Sequence, residues 1–500
     1  MKQFRLLLLL VLLMTAATGA RAQDPVTTTY SVVVKDAAGH GNDWTGKAGT
    51  EGDFGALPLK AAEGQAVTLK YNGRLKVKGL TATSVDAKYT VPLTVETVNS
   101  GTITVNKPIV GMQYAVNGGE KTEITSTNKV TIDVFAGDKV AFYGKGTEIT
   151  SYTNGWNSTT IGCDVDFKVY GNIMSLVDEE NFAVATALTG EQNFYKLFYN
   201  SRMLTDASGL LLPAVTLAQQ CYYQMFYGCT NLASAPELKA TTLADGCYRG
   251  MFQECTELTI APALDAETLA PDCYYCMFYG CTKLTQAPAL PAKTLTENCY
   301  REMFNGCSEL VNPPVMKAET MADASCMLMF QSCKKLTATP DLSATTLGNQ
   351  CYQQMFYLCK ALTTAPAELP AMELKESCYN TMFSGCTSLT TAPKLPAETL
   401  ANNCYQQMFS GCSSLTTAPV LPAETLVTQC YASMFFGCKN IDSITCLATD
   451  ISATNCTTYW IRGVAASGTF TKAAAADWST LTGTAGIPEG WTVENYVPSN

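Results

Sequence analysis

The chain has 500 residues, with 33 Lys and Arg against 43 Asp and Glu, a net charge of -10; only 15% of it is charged and 47% is apolar, against a usual charged share of about 25%. At about 150 residues per domain this length implies roughly three folding units, with ample core material and no basic surface to neutralise phosphates, which excludes nucleic acid as a partner. A single histidine, His40, removes Ser-His-Asp and Cys-His catalysis and every multi-histidine metal site.

In chain order, residues 1–22 read as a signal peptide: Lys2 and Arg5, an apolar run from Leu6 to Met14, then small residues ending at Ala20-Arg21-Ala22. The run is too short for a membrane-spanning helix of about 20 residues, and no later segment is long and apolar enough. The first cysteine is Cys163, so the mature amino terminus offers no acceptor for lipidation.

Residues 23–184 read as one or two small all-β, sandwich-like modules, divided near residue 92 into 23–92 and an immunoglobulin-like 93–184. Their signals are alternating runs at Ala66 to Lys70, Leu75 to Val77 and Thr102 to Val105, and a strand–turn–strand series, Val130 to Val134, Ala136 to Lys139, Val140 to Tyr143. In the first module Asp36, Asp43, Glu51 and Asp53 lie among glycines and offer oxygen ligands for Ca²⁺. They do not follow EF-hand spacing, and an Asp/Gly loop is more often only a turn, with His40 a solvated residue in it.

From 185 to 463 a unit of 26 residues, once 27, recurs around Cys-Tyr-x-x-Met-Phe-x-Gly-Cys, its Met falling at Met225, Met251, Met277, Met303, Met329, Met355, Met382, Met408 and Met434. Such self-similarity predicts a solenoid whose units bury their apolar faces only by stacking. Taking Leu269 as zero, Cys273, Tyr274, Met277, Phe278 and Cys281 share one side of a helical wheel. That predicts a short amphipathic helix, with Thr268 as N-cap and Gly280 as C-terminal stop. The other half, as in Leu284 to Ala292, is Thr-rich with a recurrent Pro and predicts a short parallel strand. Strands stack at about 4.8 Å and helices at about 8–10 Å, so the expected array is a curved α/β solenoid. Residues 464–500 break the repeat and are expected to cap it.

The recurrent Met-Phe-x-Gly-Cys-x-x-Leu-Thr resembles the BspA-like leucine-rich repeats of Bacteroidota surface proteins, although Cys-Tyr stands where Ile-Gly is usual and the unit is longer. The resemblance implies a leucine-rich-repeat-like fold and a secreted or cell-surface location, in a family some of whose members bind host matrix proteins or other bacteria.

The paired cysteines, Cys221/Cys229, Cys247/Cys255, Cys273/Cys281, Cys299/Cys307, Cys351/Cys359, Cys378/Cys386, Cys404/Cys412 and Cys430/Cys438, leave two readings open. They are buried thiol columns or bridges; a soft-metal site, the third possibility, would need a compact four-ligand cluster such as paired CxxC, which the columns lack. Within a helix the two Cα atoms would stand about 12 Å apart, too far for a bridge. The degenerate unit with Asn193 and Ser201 loses both, which a bridge also explains. With these cysteines, Met225, Phe226, Met251, Phe252, Met277, Phe278, Met303 and Phe304 form the expected core. The column Tyr222, Tyr248, Tyr274, Tyr300, Tyr352, Tyr379, Tyr405 and Tyr431 either packs between rungs or presents an adhesive stripe. Glu267, Glu319, Glu398 and Glu424 suit a helix N-terminus; as a glycosidase pair they lack the asymmetry that distinguishes acid from base. The candidate binding residues are Thr259, Thr285, Thr363, Thr390 and Thr416, one per rung on the strand side. These features point to an exported, non-catalytic binding or adhesion protein without cofactor, recognising a protein or glycan by many weak contacts. A structural component of the cell envelope and a carboxylate hydrolase hidden in the amino-terminal modules are the alternatives.

Overall fold

The computed structural model describes residues 87–497 apart from 110, 146–157 and 189, together with the backbone of four upstream strands, β1 (Thr27–Val33), β2 (Asn42–Trp44), β3 (Leu59–Ala61) and β4 (Ala66–Asn72). β1 pairs with β4 and β2 with β3, both antiparallel. The expected signal peptide, the run Leu75 to Val77 and the acidic loop lie outside the described residues, save the backbone of β2 at Asp43.

Alternation shapes the next module. In β9 (Lys129–Val134) Ile132 and Val134 are buried while Lys129 and Asp133 are exposed; in β10 (Lys139–Tyr143) Val140 and Phe142 are buried. The turn between them is held by Asp138, whose carboxylate accepts from Phe135 N at 2.8 Å, with Gly137 at φ 82°. The two strands do not pair with each other. β9 joins β6 (Gly101–Asn106) and β11 (Thr160–Cys163) in one sheet. β10 joins β5 (Thr94–Thr97), β7 (Gln113–Val116), β8 (Thr122–Glu123) and β12 (Phe167–Asn172) in the other, so the chain changes layer at the turn. β12 pairs antiparallel with β5 on one side and parallel with β13 (Leu204–Leu211) on the other. Since β13 belongs to the first coil of the repeat, one sheet runs from the module into the array, and one apolar cluster extends from Leu93 to Trp491.

The repeat is a stack of coils, and here the expected helix is absent. Helical geometry among the described residues is confined to short 3-10 turns, so the α component of the expected fold class is corrected. The segment Thr296 to Cys307 shows what replaces it. Cys299 N donates to Thr296 O, Met303 N to Tyr300 O and Cys307 N to Phe304 O, at 3.1–3.3 Å, closing successive four-residue turns. Their third residues, Asn298, Glu302 and Gly306, have φ of 51°, 56° and 77°, the left-handed value that type II turns need at this position. The intervening amides point along the stack: Tyr300 N reaches Ser325 O, Glu302 N reaches Met327 O and Phe304 N reaches Met329 O, all at 2.9 Å. A helix would turn these donors inward and leave neighbouring coils unbonded. Thr268 and Gly280 therefore lose their expected helix-capping roles, although Gly280 keeps a positive φ of 72°.

Side chains then stack in columns. The Phe rings lie 5.4–5.9 Å apart from Phe198 to Phe435. The Tyr rings stack at 5.7–6.0 Å from Tyr222 to Tyr300 and again from Tyr352 to Tyr431, and all are buried, as inter-rung packing requires. Cys326 takes the Tyr place between the two runs. All 22 cysteines are unbridged. Every second cysteine of a pair donates its thiol proton to the Phe carbonyl of the preceding coil, at 3.0–3.2 Å from Cys229 to Cys438. In the degenerate coil Ser201 Oγ makes an equivalent bond, to Ile161 O of β11 at 2.8 Å, which accounts for the second lost cysteine, while the Asn193 Oδ1 in place of the first has no partner.

The last coils keep this register. β14 (Ser443–Cys446), β15 (Thr469–Lys472) and β16 (Thr492–Asn495) form a parallel sheet. Trp460 stacks on Tyr431 at 6.4 Å and on Trp478 at 5.5 Å, and its indole N–H donates to Gly486 O.

Two outcomes follow from this geometry. A non-glycine residue in the left-handed region costs about 1–2 kcal/mol, part of which glycine's extra chain entropy offsets. Ser332 (φ 60°) stands where most coils have glycine. Ser332→Gly is expected to raise stability by about 0.5–1 kcal/mol in urea melts, and Gly411→Ala, whose new Cβ would meet nothing nearer than 3.7 Å, to lower it by a similar amount. The second outcome concerns pH. Burial pushes thiols such as Cys299 and Cys359 up to about 12 from an ordinary value of 9.0. Folded thiols thus keep their protons where unfolded ones lose them, so their contribution is intact below pH 9 and falls by about 1.4 kcal/mol per pH unit per thiol above it. Melting temperature under reducing conditions should hold from pH 7 to 8 and collapse steeply above about 9; an unchanged value at pH 10 would contradict thiol burial.

Candidate functional site

The strand side of each coil is short because Pro recurs in it and removes a backbone donor. What remains is a line of threonines. Thr259, Thr285, Thr363, Thr390 and Thr416 are all exposed and occupy the same position in successive coils. The structure brings them into one column, with Val311 and Thr337 filling the rungs between. Their hydroxyls are not idle: Thr285 Oγ1 donates to Thr259 O at 3.1 Å, Thr337 Oγ1 to Val311 O at 3.3 Å and Thr363 Oγ1 to Thr337 O at 3.1 Å. A hydroxyl that donates in this way can still accept, so the bonded threonines are exposed acceptors held in register by the stack.

The repeated carboxylates have lost their expected partner, the helix dipole. Glu319 instead pairs with Lys293 one coil earlier at 2.7 Å, while Glu267, Glu398 and Glu424 are exposed. Opposite charges on successive rungs recur nearby, Lys283 on Glu257 and Lys335 on Glu309. Exposed pairs of this kind are worth only about 0–1 kcal/mol, and they form no converging acid pair. Among the described residues no group of three or more His, Cys, Asp or Glu is placed to hold a metal ion.

One feature of the strand side was not anticipated. Neighbouring strand-side segments are joined at intervals by backbone hydrogen bonds or parallel bridges, as at Ala207 N to Ser234 O, Thr285 N to Thr259 O and Leu290 N to Val315 O, with unbonded stretches between, as at 340–349 and 366–375. Between residues 233–239 and 259–265 there is neither. The opening is closed at one end by Glu257 N to Thr230 O at 3.2 Å and at the other by Gly246 N to Pro271 O at 3.0 Å. A cavity of about 620 Å³ lies there, and Thr259 is part of its wall. Glu237 and Asp265 are exposed at it, and Ile260 is 61% exposed. Lys239 is anchored: its ammonium donates to Tyr89 Oη at 3.0 Å and lies 3.7 Å from Glu237. The hydrogen bond to Tyr89 also holds its pKa above the ordinary lysine value. Tyr89 comes from the 3-10 turn Ala87–Thr90, so the amino-terminal module touches the repeat beside the opening.

The sequence carried one signal of this place. Along the column of Ser234, Ile260, Gln286, Asn312, Ala338, Thr364, Thr391 and Thr417, Ile260 is the one large apolar residue. On the turn side, Arg249 lies over the rings of Tyr275 and Tyr223 at 4.3 and 5.9 Å and pairs with Asp272 at 2.7 Å, so its charge is already spent. A larger cavity, about 950 Å³, lies in the last coils between Ile461, Lys472, Trp478 and Leu481, where opposite charges, Arg462 and Lys472 against Asp477 and Glu489, balance.

No family model and no curated protein sequence matches the chain. Among solved structures it is similar to a leucine-rich repeat protein from Bacteroides ovatus, at 12% identity and a TM-score of 0.28 over 69% of this chain and 97% of that one. It is also similar to a chain of a TLR13–ssRNA13 complex, at 13% identity and a TM-score of 0.26, over 61% of this chain and 43% of that one.

Proposed function

We propose that this is an exported binding protein of the BspA-like leucine-rich-repeat kind, secreted or held at the cell surface. Its stacked coils would form a curved solenoid that recognises a protein or glycan on the strand side. The amino-terminal modules act as spacer or second site, and the chain adheres to its partner rather than transforming it. The observation that carries this reading is the exposed threonine column. A row of exposed threonine hydroxyls, one per rung except at Val311, offers many similar weak contacts, and their sum grows with length. The exposed glutamates support the same reading, because they form no converging pair and none is buried in the distinct environment that separates a general acid from a base.

The test is a screen of the full chain against immobilised matrix proteins and a glycan array. A ligand is expected whose apparent affinity falls about tenfold or more when Thr285, Thr363 and Thr390 are together replaced by Glu, a change that keeps the fold because all three are exposed. Two empty arrays would favour an envelope component instead, and turnover of any hydrolase substrate would overturn the binding reading.

A further inference from the structure

Unbonded stretches recur on the strand side, as between 340–349 and 366–375, but between 233–239 and 259–265 the lack of bonds coincides with a cavity and with the exposed Ile260. The coils carrying 233–239 and 259–265 are bonded on their turn side like all the others, with Gln224 N on Arg249 O, Phe226 N on Met251 O and Gly228 N on Gln253 O at 2.8–2.9 Å. On the strand side the same two coils stand apart. Backbone groups facing such a gap need partners, and water or a ligand must supply what the stack does not.

We propose that this opening is a docking slot for an extended segment of a partner protein, bound mainly through its main chain and carrying a basic side chain toward Glu237 and Asp265. This rests on the binding reading above and names the partner class at that site. Three observations select the occupant. First, the two facing edges are polypeptide rungs interrupted by Pro236 and Pro262, so they present more carbonyl acceptors than amide donors. An extended peptide offers donors and acceptors in alternation at about 3.3 Å per residue, the same rise as along the extended edges it would lie beside. Second, the volume of about 620 Å³ falls within the range of real ligand sites, and Ile260, alone in its column, gives an apolar side chain something to rest on. Third, Glu237 and Asp265 outnumber Lys239, whose ammonium is already engaged by Tyr89 and Glu237, so the net field at the slot is negative.

The experiment pans a random peptide library on the full chain and measures the recovered peptides on variants. Ile260→Arg, and separately Glu237→Lys with Asp265→Lys, are each expected to weaken binding about tenfold or more. Thermal melts of these surface variants should match the parent. N-methylation of alternate amides in a recovered peptide should cost a similar factor, which binding through side chains alone would not. Failure to enrich any peptide, or peptides indifferent to these variants, would overturn the slot. So would a carbohydrate from the glycan array whose binding these variants abolish. If an array ligand is lost on the triple threonine variant but kept on the slot variants, the slot alone falls. If the parent chain binds nothing at all, the binding reading falls with it.

Discussion

Lateral backbone bonding between a coil and the next one, 26 residues on, is the constraint from which the rest of the molecule follows. To aim alternate amides along the stack, the turn side must close a tight turn every four residues, and each such turn places one residue in the left-handed region. Most of these residues are not glycine, as Asn298, Glu302, Gln354 and Thr381 show. At about 1–2 kcal/mol apiece, against about 0.5–1.5 kcal/mol net for a backbone hydrogen bond, the turns and their bonds roughly cancel. The margin comes from what the coils bury: a Met, a Phe, a Tyr and two Cys per unit, with large apolar side chains worth about 1.5–3 kcal/mol each. The backbone pattern fixes the register, and the columns supply the stability.

Cysteine suits this arrangement for a reason that is neither redox nor metal chemistry. The Phe carbonyl of each coil already accepts from the Cys amide of its own unit, as Phe304 O does from Cys307 N. Its second lone pair faces the next coil, where Phe304 and Cys333 are both fully buried. A small, mostly apolar side chain with one weak donor meets that need, and Cys333 Sγ fills it at 3.1 Å. Serine does the same at Ser201, where the repeat meets the amino-terminal module. Where Ser325 stands in the first cysteine column its hydroxyl has no partner, the cost expected when a stronger polar group enters a place built for sulfur.

The columns were legible in the sequence and the local backbone was not, and the two facts share a cause. Apolar residues at Cys273, Tyr274, Met277, Phe278 and Cys281 repeat every four positions. A helix advances about 40° past a full turn over four residues, so across nine residues the pattern drifts by only about 80° and still reads as one helical face. A chain of four-residue turns gives the same set. The evidence separating them lies in the neighbouring coil, because only lateral partners at 26-residue separation make the turn chain preferable, and no local window contains them. The same limit applies in the amino-terminal module, where β9 and β10 read as strand, turn and strand yet belong to different sheets. It applies again at β12 and β13, whose parallel pairing carries one sheet across the place where composition changes.

Repetition also decides where function can reside. A feature copied into every coil, such as the threonine column, can supply affinity through number but cannot tell one place on the surface from another. Selectivity has to come from departures. The stack holds several, and most are absorbed by packing: Cys326 fills the Tyr column, and Arg249 is neutralised by Asp272. The opening between 233–239 and 259–265 is different, because there an unbonded stretch of strand-side backbone borders a cavity and an exposed isoleucine. It also stands beside Tyr89, where the amino-terminal module meets the repeat. A stack of this design is bonded densely along its turn side and more sparsely along its strand side, so a gap on the strand side leaves the columns intact. That separation lets one rung step carry a specific contact while the others keep the register that holds it in place.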